Sequence, residues 1–174
     1  MSINNLDKIF EPNSIAIVGA SEREGSVGYA LVNNIRNGYK GKIIPINPKR
    51  KTILGYKAYP SIAEVPDPVD LVVIATPITT APQYIAECAQ KGVGGAIVIS
   101  AGGKEVGEKG KAIEKQILKK AHEGNVRIIG PNCAGIFSAR SDLNANFASR
   151  TSPLTGNLAF VSQSGAICSS IHDY

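Results

Sequence analysis

The residues best suited to binding chemistry lie in a glycine-rich loop near the start of the chain. A β-branched run, Ile15–Val18, is followed by Gly19, and further glycines occur at positions 25 and 28. A buried strand that enters a helix through such a loop leaves backbone N–H groups unpaired at the helix N-terminus, and these groups favour phosphate. The loop therefore predicts a phosphate-bearing ligand, although a plain strand–turn–helix connection has the same pattern.

Two departures from the dinucleotide-binding pattern restrict which phosphate-bearing ligands the loop could bind. Ser21 stands where Gly-x-Gly-x-x-Gly has its middle glycine, and the second predicted strand ends in the segment 47–51, which contains no carboxylate. A carboxylate at that point would hold the ribose of NAD, so NAD is disfavoured. The cations Lys49, Arg50 and Lys51 suit extra phosphate, which leaves NADP and coenzyme A open. A solvated charge run is the alternative interpretation of these three residues.

The elements that must position these loops alternate between strand and helix. Apolar runs predict strands over residues 15–18, 42–47, 70–75, 95–100 and 126–129, and helical spacing predicts helices over 27–37, 80–91 and 105–123. Continuous apolar runs, rather than two-residue alternation, are typical of a parallel sheet that is covered on both faces. Pro45 predicts a peripheral second strand because proline cannot donate to a ladder. The expected fold class is α/β.

Shorter elements are predicted at four further places. Residues 2–10 read as an amphipathic helix with Ile3, Leu6 and Phe10 on one side, and Ser61 could cap a single-turn helix that ends near residue 65. The long helix is expected to turn Val106 toward the core together with positions 113, 117 and 121. Residues 56–59 could add a short strand.

The last part of the chain starts a second strand–loop–helix unit. Residues 140–156 are rich in Ser, Asn, Thr and Arg, which indicates a linker or an irregular excursion. A predicted strand over 157–161 then meets a Ser/Gly loop and a helix that runs to Tyr174. One strand and one helix cannot bury their own faces, so we expect the sequence to be the front part of a longer protein.

Composition excludes several classes of protein. The chain has 174 residues, 43% of them hydrophobic, which suits one domain of ordinary size. The net charge of +5 is spread over helix faces, so an anionic small ligand suffices and neither nucleic acid nor membrane is expected as a partner. Three cysteines without a close pair argue for a reducing cytoplasm and against a zinc site. No signal-peptide pattern or membrane-length apolar run occurs, and a cytoplasmic location is predicted.

Six motifs occur in an order that resembles one enzyme family. They are VGAS–x3–GSVG, INPKR, ISAGGKE–x2–E–x–G, IGPNCAG, LNANF and FVSQSGA. This set is similar to that of the NDP-forming acyl-CoA synthetases, which include ADP-forming acetyl-CoA synthetases and the α subunit of succinyl-CoA synthetase. The resemblance implies a Rossmann-like, doubly wound CoA-binding domain over residues 1–147 and a linker over 148–156. Residues 157–174 would be the first strand and helix of a second, flavodoxin-like domain.

The resemblance also implies which residues bind ligands. The positions expected to contact coenzyme A are Gly19, Ser21, Gly25, Ser26, Val27, Asn47, Lys49, Ser100, Ala101 and Gly102. The positions expected to face the phosphate of a phosphohistidine are Asn132, Ser162, Ser164 and Gly165. Each has an ordinary alternative role, such as a turn glycine, a solvated cation or a strand-end hydroxyl. Gly103 departs from the family pattern, in which an aromatic residue is expected at that position.

The implied reaction interconverts acyl-CoA, ADP and phosphate with an acid, ATP and CoA through a phosphohistidine. His122 and His172 match no family motif, so no catalytic residue is expected in this chain, nor is a metal site. Cys133 is expected to be a buried structural thiol. The resemblance places the nucleotide, ATP or ADP with Mg, on an ATP-grasp domain or β subunit outside this chain, and acetate is the expected acid.

Two alternatives remain open at this point. One is the regulatory synthetase-like region of a protein lysine acetyltransferase, and the other is a non-catalytic regulator that binds CoA or a nucleotide. The sequence beyond residue 174 would separate the first alternative from a synthetase.

Overall fold

A computed structural model describes residues 3–149, 151 and 154–172. Its strands are β1 (Ser14–Val18), β2 (Lys42–Ile46), β3 (Thr52–Ile53), β4 (Tyr56–Lys57), β5 (Leu71–Ile74), β6 (Gly95–Val98), β7 (Arg127–Ile129), β8 (Gly135–Ser138) and β9 (Leu143–Asn146). Its α-helices are α1 (Leu6–Phe10), α2 (Val27–Arg36), α3 (Ala81–Lys91), α4 (Glu108–Glu123) and α5 (Gly165–His172). Short 3₁₀ turns cover Ile78–Thr80, Lys104–Val106 and Ala139–Ser141.

A five-stranded parallel sheet forms the centre, in the order β2-β1-β5-β6-β7. The chain leaves β1 toward β2 on one side and later returns to place β5 on the other side of β1. The carboxyl ends of β1 and β5 therefore border the point at which the winding direction reverses, where open α/β sheets bind ligands. This topology confirms the prediction of a Rossmann-like α/β fold, and β2 lies at the sheet edge as Pro45 predicted.

Both faces of the sheet are covered, which is why its central strands are apolar throughout. Every residue of β1, β5 and β6 is buried. Helices α3 and α4 cover one face through residues such as Ile85 and Ile117. Helices α1 and α2 and the β8–β9 hairpin cover the other face, with Leu31, Ile35 and Leu143 fully buried.

Three local predictions about helices are wrong. Helix α1 begins at Leu6 after a left-handed Asn5, and its buried residue is Ile9, whereas Ile3 and Phe10 are exposed; Ser2 lies outside the described residues. Helix α4 begins only at residue 108, so Val106 is 60% exposed rather than in the core. Residues 61–65 form a turn instead of a single-turn helix.

The segment that follows β7 also differs from expectation. Residues 135–146 form an antiparallel hairpin, β8–β9, in which Leu143 and Ala145 are fully buried, so the first part of the expected irregular excursion belongs to the core. Residues 157–161 are not a strand, and Leu158 is 99% exposed. A strand requires a neighbouring ladder, and none is formed here by the described residues. Helix α5 occupies the place of the predicted last helix; residues 173 and 174 lie outside the described residues.

At the amino-terminal edge of the sheet, one carboxylate joins three segments. Asp70 Oδ1 lies 2.9 Å from Lys8 Nζ, and Asp70 Oδ2 accepts a 2.8 Å hydrogen bond from the Asn13 amide. The Ser14 hydroxyl accepts from the Asp70 amide at 3.0 Å. Burial would raise the pKa of Asp70, but the bonds from Lys8 and Asn13 outweigh that effect and hold the pKa below its usual range.

We expect Asp70→Asn to lower the free energy of unfolding at neutral pH by about 2 kcal/mol, because charged hydrogen bonds are replaced by weaker ones. A carboxylate whose folded pKa is lowered stabilises the fold above its unfolded pKa of about 4, and this contribution is lost as pH falls through the folded pKa. The difference between wild type and variant should therefore shrink below about pH 4. Urea titrations at pH 7, 5 and 3 measure this difference in the free energy of unfolding. Asp7→Asn, at an exposed carboxylate, is the control, and an Asp70→Asn difference that does not change with pH would contradict the assignment.

Candidate functional site

A cleft of about 710 Å³ lies at the carboxyl ends of the central strands. It contains five of the predicted site residues: Val27, Ser100, Ala101, Asn132 and Gly165. It is also lined by residues to which the sequence assigned no ligand role, among them Ala75, Ala134, Phe147, Ala148 and Gln163. The position of Ala75 could have been found from the sequence, because it follows the clearest buried strand at the topological switch point.

The loop between β1 and α2 has the form of a phosphate cradle. Gly19 and Gly25 have φ values of +85° and +77°, which favour glycine, and a Cβ at Gly25 would meet nothing within 4 Å. The Ser26 hydroxyl caps α2 by accepting from the Tyr29 amide at 3.2 Å. Among the described residues, the amides of Val27 and Gly28 have no hydrogen-bond partner. These two donors at the positive end of the helix dipole can hold an anion.

Two further contacts define the shape of this loop. The Ser21 hydroxyl accepts from the Arg23 amide at 3.0 Å, and the Ser26 hydroxyl donates to the Arg23 carbonyl at 2.7 Å. Helix α2 also lies directly on the loop, since a Cβ at Gly28 would stand 2.0 Å from the Gly19 carbonyl oxygen. The Ser21 and Ser26 side chains therefore stabilise the conformation of the loop that carries them.

Asn47 and Lys49 lie beside the cradle at the end of β2. Asn47 Nδ2 donates to the Ala20 carbonyl at 2.9 Å, and Asn47 Oδ1 accepts from the Lys49 amide at 2.9 Å. The Asn47 side chain thus joins the β1 loop to the β2 loop, and the structure gives it a positioning role. The Lys49 side chain is exposed and has no ion pair within the described part of the chain, which leaves its charge available to an anion.

The segment after β6 lines part of the cleft. The Ser100 hydroxyl donates to the Thr76 carbonyl, and the Ser100 carbonyl accepts from the Asn132 amide at 2.9 Å. The Gly102 amide donates to Glu105 Oε1 at 2.7 Å, and this bond holds the pKa of Glu105 below its usual range. The Gly102 amide is therefore occupied, and of these three predicted residues Ser100 and Ala101 border the cleft.

Gly103, where the family pattern has an aromatic residue, is buried against α4. A Cβ at Gly103 would lie 2.3 Å from Glu114 Oε1, and a Cβ at Gly110 would lie 1.7 Å from the Gly103 carbonyl oxygen. The Lys104 amide donates to Glu114 Oε1 at 2.9 Å. Backbone and carboxylate therefore fill the space beside residue 103.

The loop after β7 brings a thiol and an amide to the cleft. Asn132 is exposed and has a left-handed φ of +55°. Cys133 Sγ lies 3.3 Å from the Val98 carbonyl oxygen, and burial raises the pKa of the Cys133 thiol to about 11. A thiol with that pKa is protonated at neutral pH, so the geometry supports a structural role rather than a nucleophile.

The N-terminus of α5 reaches the same cleft from the other side. The Ser162 hydroxyl accepts from the Ser164 amide at 3.0 Å, and the Ser164 hydroxyl accepts from the Ile167 amide at 3.4 Å. A Cβ at Gly165 would lie 3.5 Å from the Ala134 Cβ, so α5 begins beside the Asn132 loop. The two serine hydroxyls contact their own loop, and Gly165 borders the cleft.

Other kinds of site are not found in the described ranges. No group of three or more His, Cys, Asp and Glu side chains within residues 3–149, 151 and 154–172 could hold a metal ion. No helix of that part of the chain combines the length and hydropathy that crossing a membrane would need.

Comparisons with known proteins agree on one family. Residues 13–139 match the family model described as a CoA binding domain. An ADP-forming acetate–CoA ligase of Methanocaldococcus jannaschii is 46% identical over 97% of this chain and 23% of its own length. An ADP-forming 4-hydroxybutyrate–CoA ligase of Nitrosopumilus maritimus is 42% identical over 94% of this chain and 24% of its own length.

A solved structure gives the same result. The dinucleotide-forming acetyl-coenzyme A synthetase 1 of Ca. Korarchaeum cryptofilum, in complex with phosphate and ADP, superposes with a TM-score of 0.90 at 39% identity. The match covers 97% of this chain and 36% of that one. The chain spans about a quarter of the length of the two curated relatives. It belongs to the CoA-binding domain family, and the relatives it matches there are ADP-forming acid–CoA ligases.

Proposed function

We propose that this chain is the CoA-binding region of an ADP-forming acyl-CoA synthetase, with acetate as the acid. The observation that carries the proposal is the cradle formed by the Val27 and Gly28 amides beside the exposed Lys49. Coenzyme A carries a pyrophosphate and a 3′-phosphate, which such donors and such a cation can bind. The two curated relatives act on acetate and on 4-hydroxybutyrate, as their names state, and both are small aliphatic acids.

Each part of coenzyme A has a place along the site. The pyrophosphate would bind the loop at Gly25, Ser26 and Val27, and Lys49 would meet the charge at the adenosine end. The pantetheine arm would pass Ser100 and Ala101, which brings the thiol into the cleft near Asn132. There the N-terminus of α5, with Gly165 at its start, can stabilise a phosphate.

The whole reaction would interconvert acyl-CoA, ADP and phosphate with acid, ATP and CoA. ATP or ADP with Mg would bind an ATP-grasp domain or β subunit that partners this region, and the phosphohistidine would come from outside this chain. The contribution of this chain would be to position the thioester and to stabilise charge, not to supply a nucleophile. The enzyme would act in the cytoplasm, because three cysteines without a close pair suit a reducing compartment.

Calorimetric titration of the chain with CoA and with NADP tests the proposal. CoA should bind in a one-to-one complex and more tightly than NADP. ATP formation from acyl-CoA, ADP and phosphate should be absent with this chain alone. Tighter binding of NADP, or no binding of CoA, would remove the assignment.

The charge of Lys49 should contribute to the affinity for CoA and not to the stability of the fold. We expect Lys49→Gln to weaken CoA binding about fivefold, because one charge-assisted contact at an exposed position contributes about 1 kcal/mol. The loss should fade at 0.5 M salt, since exposed charges are screened there. Lys115→Gln, which removes an exposed lysine from α4, is the matched control and should leave the affinity unchanged. Equal effects of the two substitutions would contradict a contact at Lys49.

A further inference from the structure

Phe147 is the largest side chain that lines the cleft in the described part of the chain. Much of the remaining lining consists of small residues: Ala75, Ala101, Ala134, Ala148, Gly165 and Ala166. Phe147 follows the last residue of β9 and is 37% exposed, so part of its ring is open to the cleft. Of the side chains that line the cleft, this ring therefore occupies the most space.

The backbone on both sides of this ring is held by hydrogen bonds. The Phe147 amide donates to the Ala134 carbonyl at 3.2 Å, which ties it to the loop after β7. Asn146 Oδ1 accepts from the Ala148 amide at 2.6 Å and from the Ser149 amide at 3.1 Å. These bonds fix the position of the Phe147 backbone, so the ring can change place only by rotation about its own side-chain torsions. The point from which the ring enters the cleft is therefore constant.

We propose that Phe147 sets the size of the acyl group, so that the cleft accepts short aliphatic thioesters and excludes aromatic ones. The inference rests on the proposed function, because it requires the thioester end of CoA to reach the cleft. Small residues around one bulky ring leave room for a few carbon atoms, and a larger group would overlap the ring. A difference of one methylene in an apolar pocket changes discrimination about 10- to 200-fold, so one ring can decide the class of acid.

Titration of the chain with CoA, acetyl-CoA and phenylacetyl-CoA tests this inference. The wild-type chain should bind acetyl-CoA more tightly than phenylacetyl-CoA. In Phe147→Ala the ratio of the two dissociation constants should move about tenfold toward phenylacetyl-CoA, with free CoA affinity little changed. Phe147→Leu should move the ratio less. Phe10→Ala is the matched control, because Phe10 is 38% exposed on α1 and does not line the cleft.

The outcomes separate this inference from the proposed function. If CoA binds and the ratio in Phe147→Ala equals that of the wild type, the inference is overturned while the CoA assignment stands. If Phe147→Ala fails to fold, Phe147→Leu decides by the same ratio. If neither CoA nor any thioester binds the wild-type chain, the proposed function falls and takes this inference with it. A ratio that also moves in Phe10→Ala would overturn the role of the cleft.

Discussion

Gly28→Ala is expected to lower the free energy of unfolding by about 3 kcal/mol, at the upper end of the cost of overpacking. The added Cβ would stand 2.0 Å from the Gly19 carbonyl oxygen and 3.2 Å from the Ser21 amide nitrogen. Both neighbours are backbone atoms of the loop beneath α2, so no side-chain rotation can relieve the contact. Helix α2 would have to move away from β1.

The same displacement should remove CoA binding. The cradle needs the loop and the first amides of α2 in register, so a shift of the helix misaligns the donors with the phosphates. We expect the affinity for CoA to fall at least about tenfold, which corresponds to about 1.4 kcal/mol. Urea unfolding and calorimetric titration measure the two effects. Gly156→Ala is the control, because a Cβ at that exposed glycine would meet nothing within 4 Å; wild-type behaviour of Gly28→Ala would contradict the packing described here.

Asn34→Ala should destabilise the chain by about 2 kcal/mol. Asn34 is 3% exposed on α2, and its Nδ2 donates to the Asn146 carbonyl at 2.7 Å and to the Ser149 carbonyl at 2.9 Å. Removing the amide takes one hydrogen bond from each of two carbonyls in a buried environment, and each such bond contributes about 1 kcal/mol. The Ser149 carbonyl keeps the 3.1 Å hydrogen bond from Asn144 Nδ2. The segment that carries Phe147 would lose its attachment to α2.

Two measurements check this prediction. Urea unfolding should show the loss of stability, and the amides of residues 147–149 should exchange their hydrogens faster in Asn34→Ala than in the wild type. Asn33→Ala is the matched control, since the Asn33 side chain has no hydrogen bond within the described ranges. If exchange at 147–149 were unchanged, Asn34 would not be what holds this segment.

The central sheet could be predicted from the sequence because its strands are buried on both faces. Runs such as Ile15–Val18 and Leu71–Ile74 are apolar without interruption, and glycines or capping residues mark where the next helix begins. The loop between β1 and α2 could be predicted for a different reason: its conformation depends on residues that are close together in the sequence. Gly19 and Gly25 indeed adopt the left-handed φ that a turn from strand to helix requires.

The β8–β9 hairpin could not be predicted, because its burial depends on contacts distant in sequence. Asn144 and Asn146 are residue types typical of loops, yet both are buried. The Asn146 carbonyl accepts a hydrogen bond from the Asn34 side chain, which is more than a hundred residues away in the chain. The opposite error occurs at residues 157–161. Their apolar run from Leu158 to Val161 predicts a strand, but a strand forms only where another strand offers its N–H and C=O groups.

The candidate ligand contacts were named from charge and from the family resemblance, neither of which shows what lines the cleft. Lys49 follows from the charge run after the second strand and from the resemblance, and Ser26 follows from the resemblance alone. Phe147 belongs to a recognised motif, yet no residue near it in sequence shows that it lines the same cleft as Ser100. Asn47 was expected to contact the ligand directly, whereas the structure shows its side-chain amide holding the two loops together.

A crystal structure of this chain with coenzyme A would show whether the loop between β1 and α2 binds the cofactor. We expect electron density for the pyrophosphate within hydrogen-bond distance of the Val27 and Gly28 amides, with the pantetheine arm running past Ser100. Density for the cofactor at another surface, or a cradle closed by side chains while CoA is bound elsewhere, would contradict it.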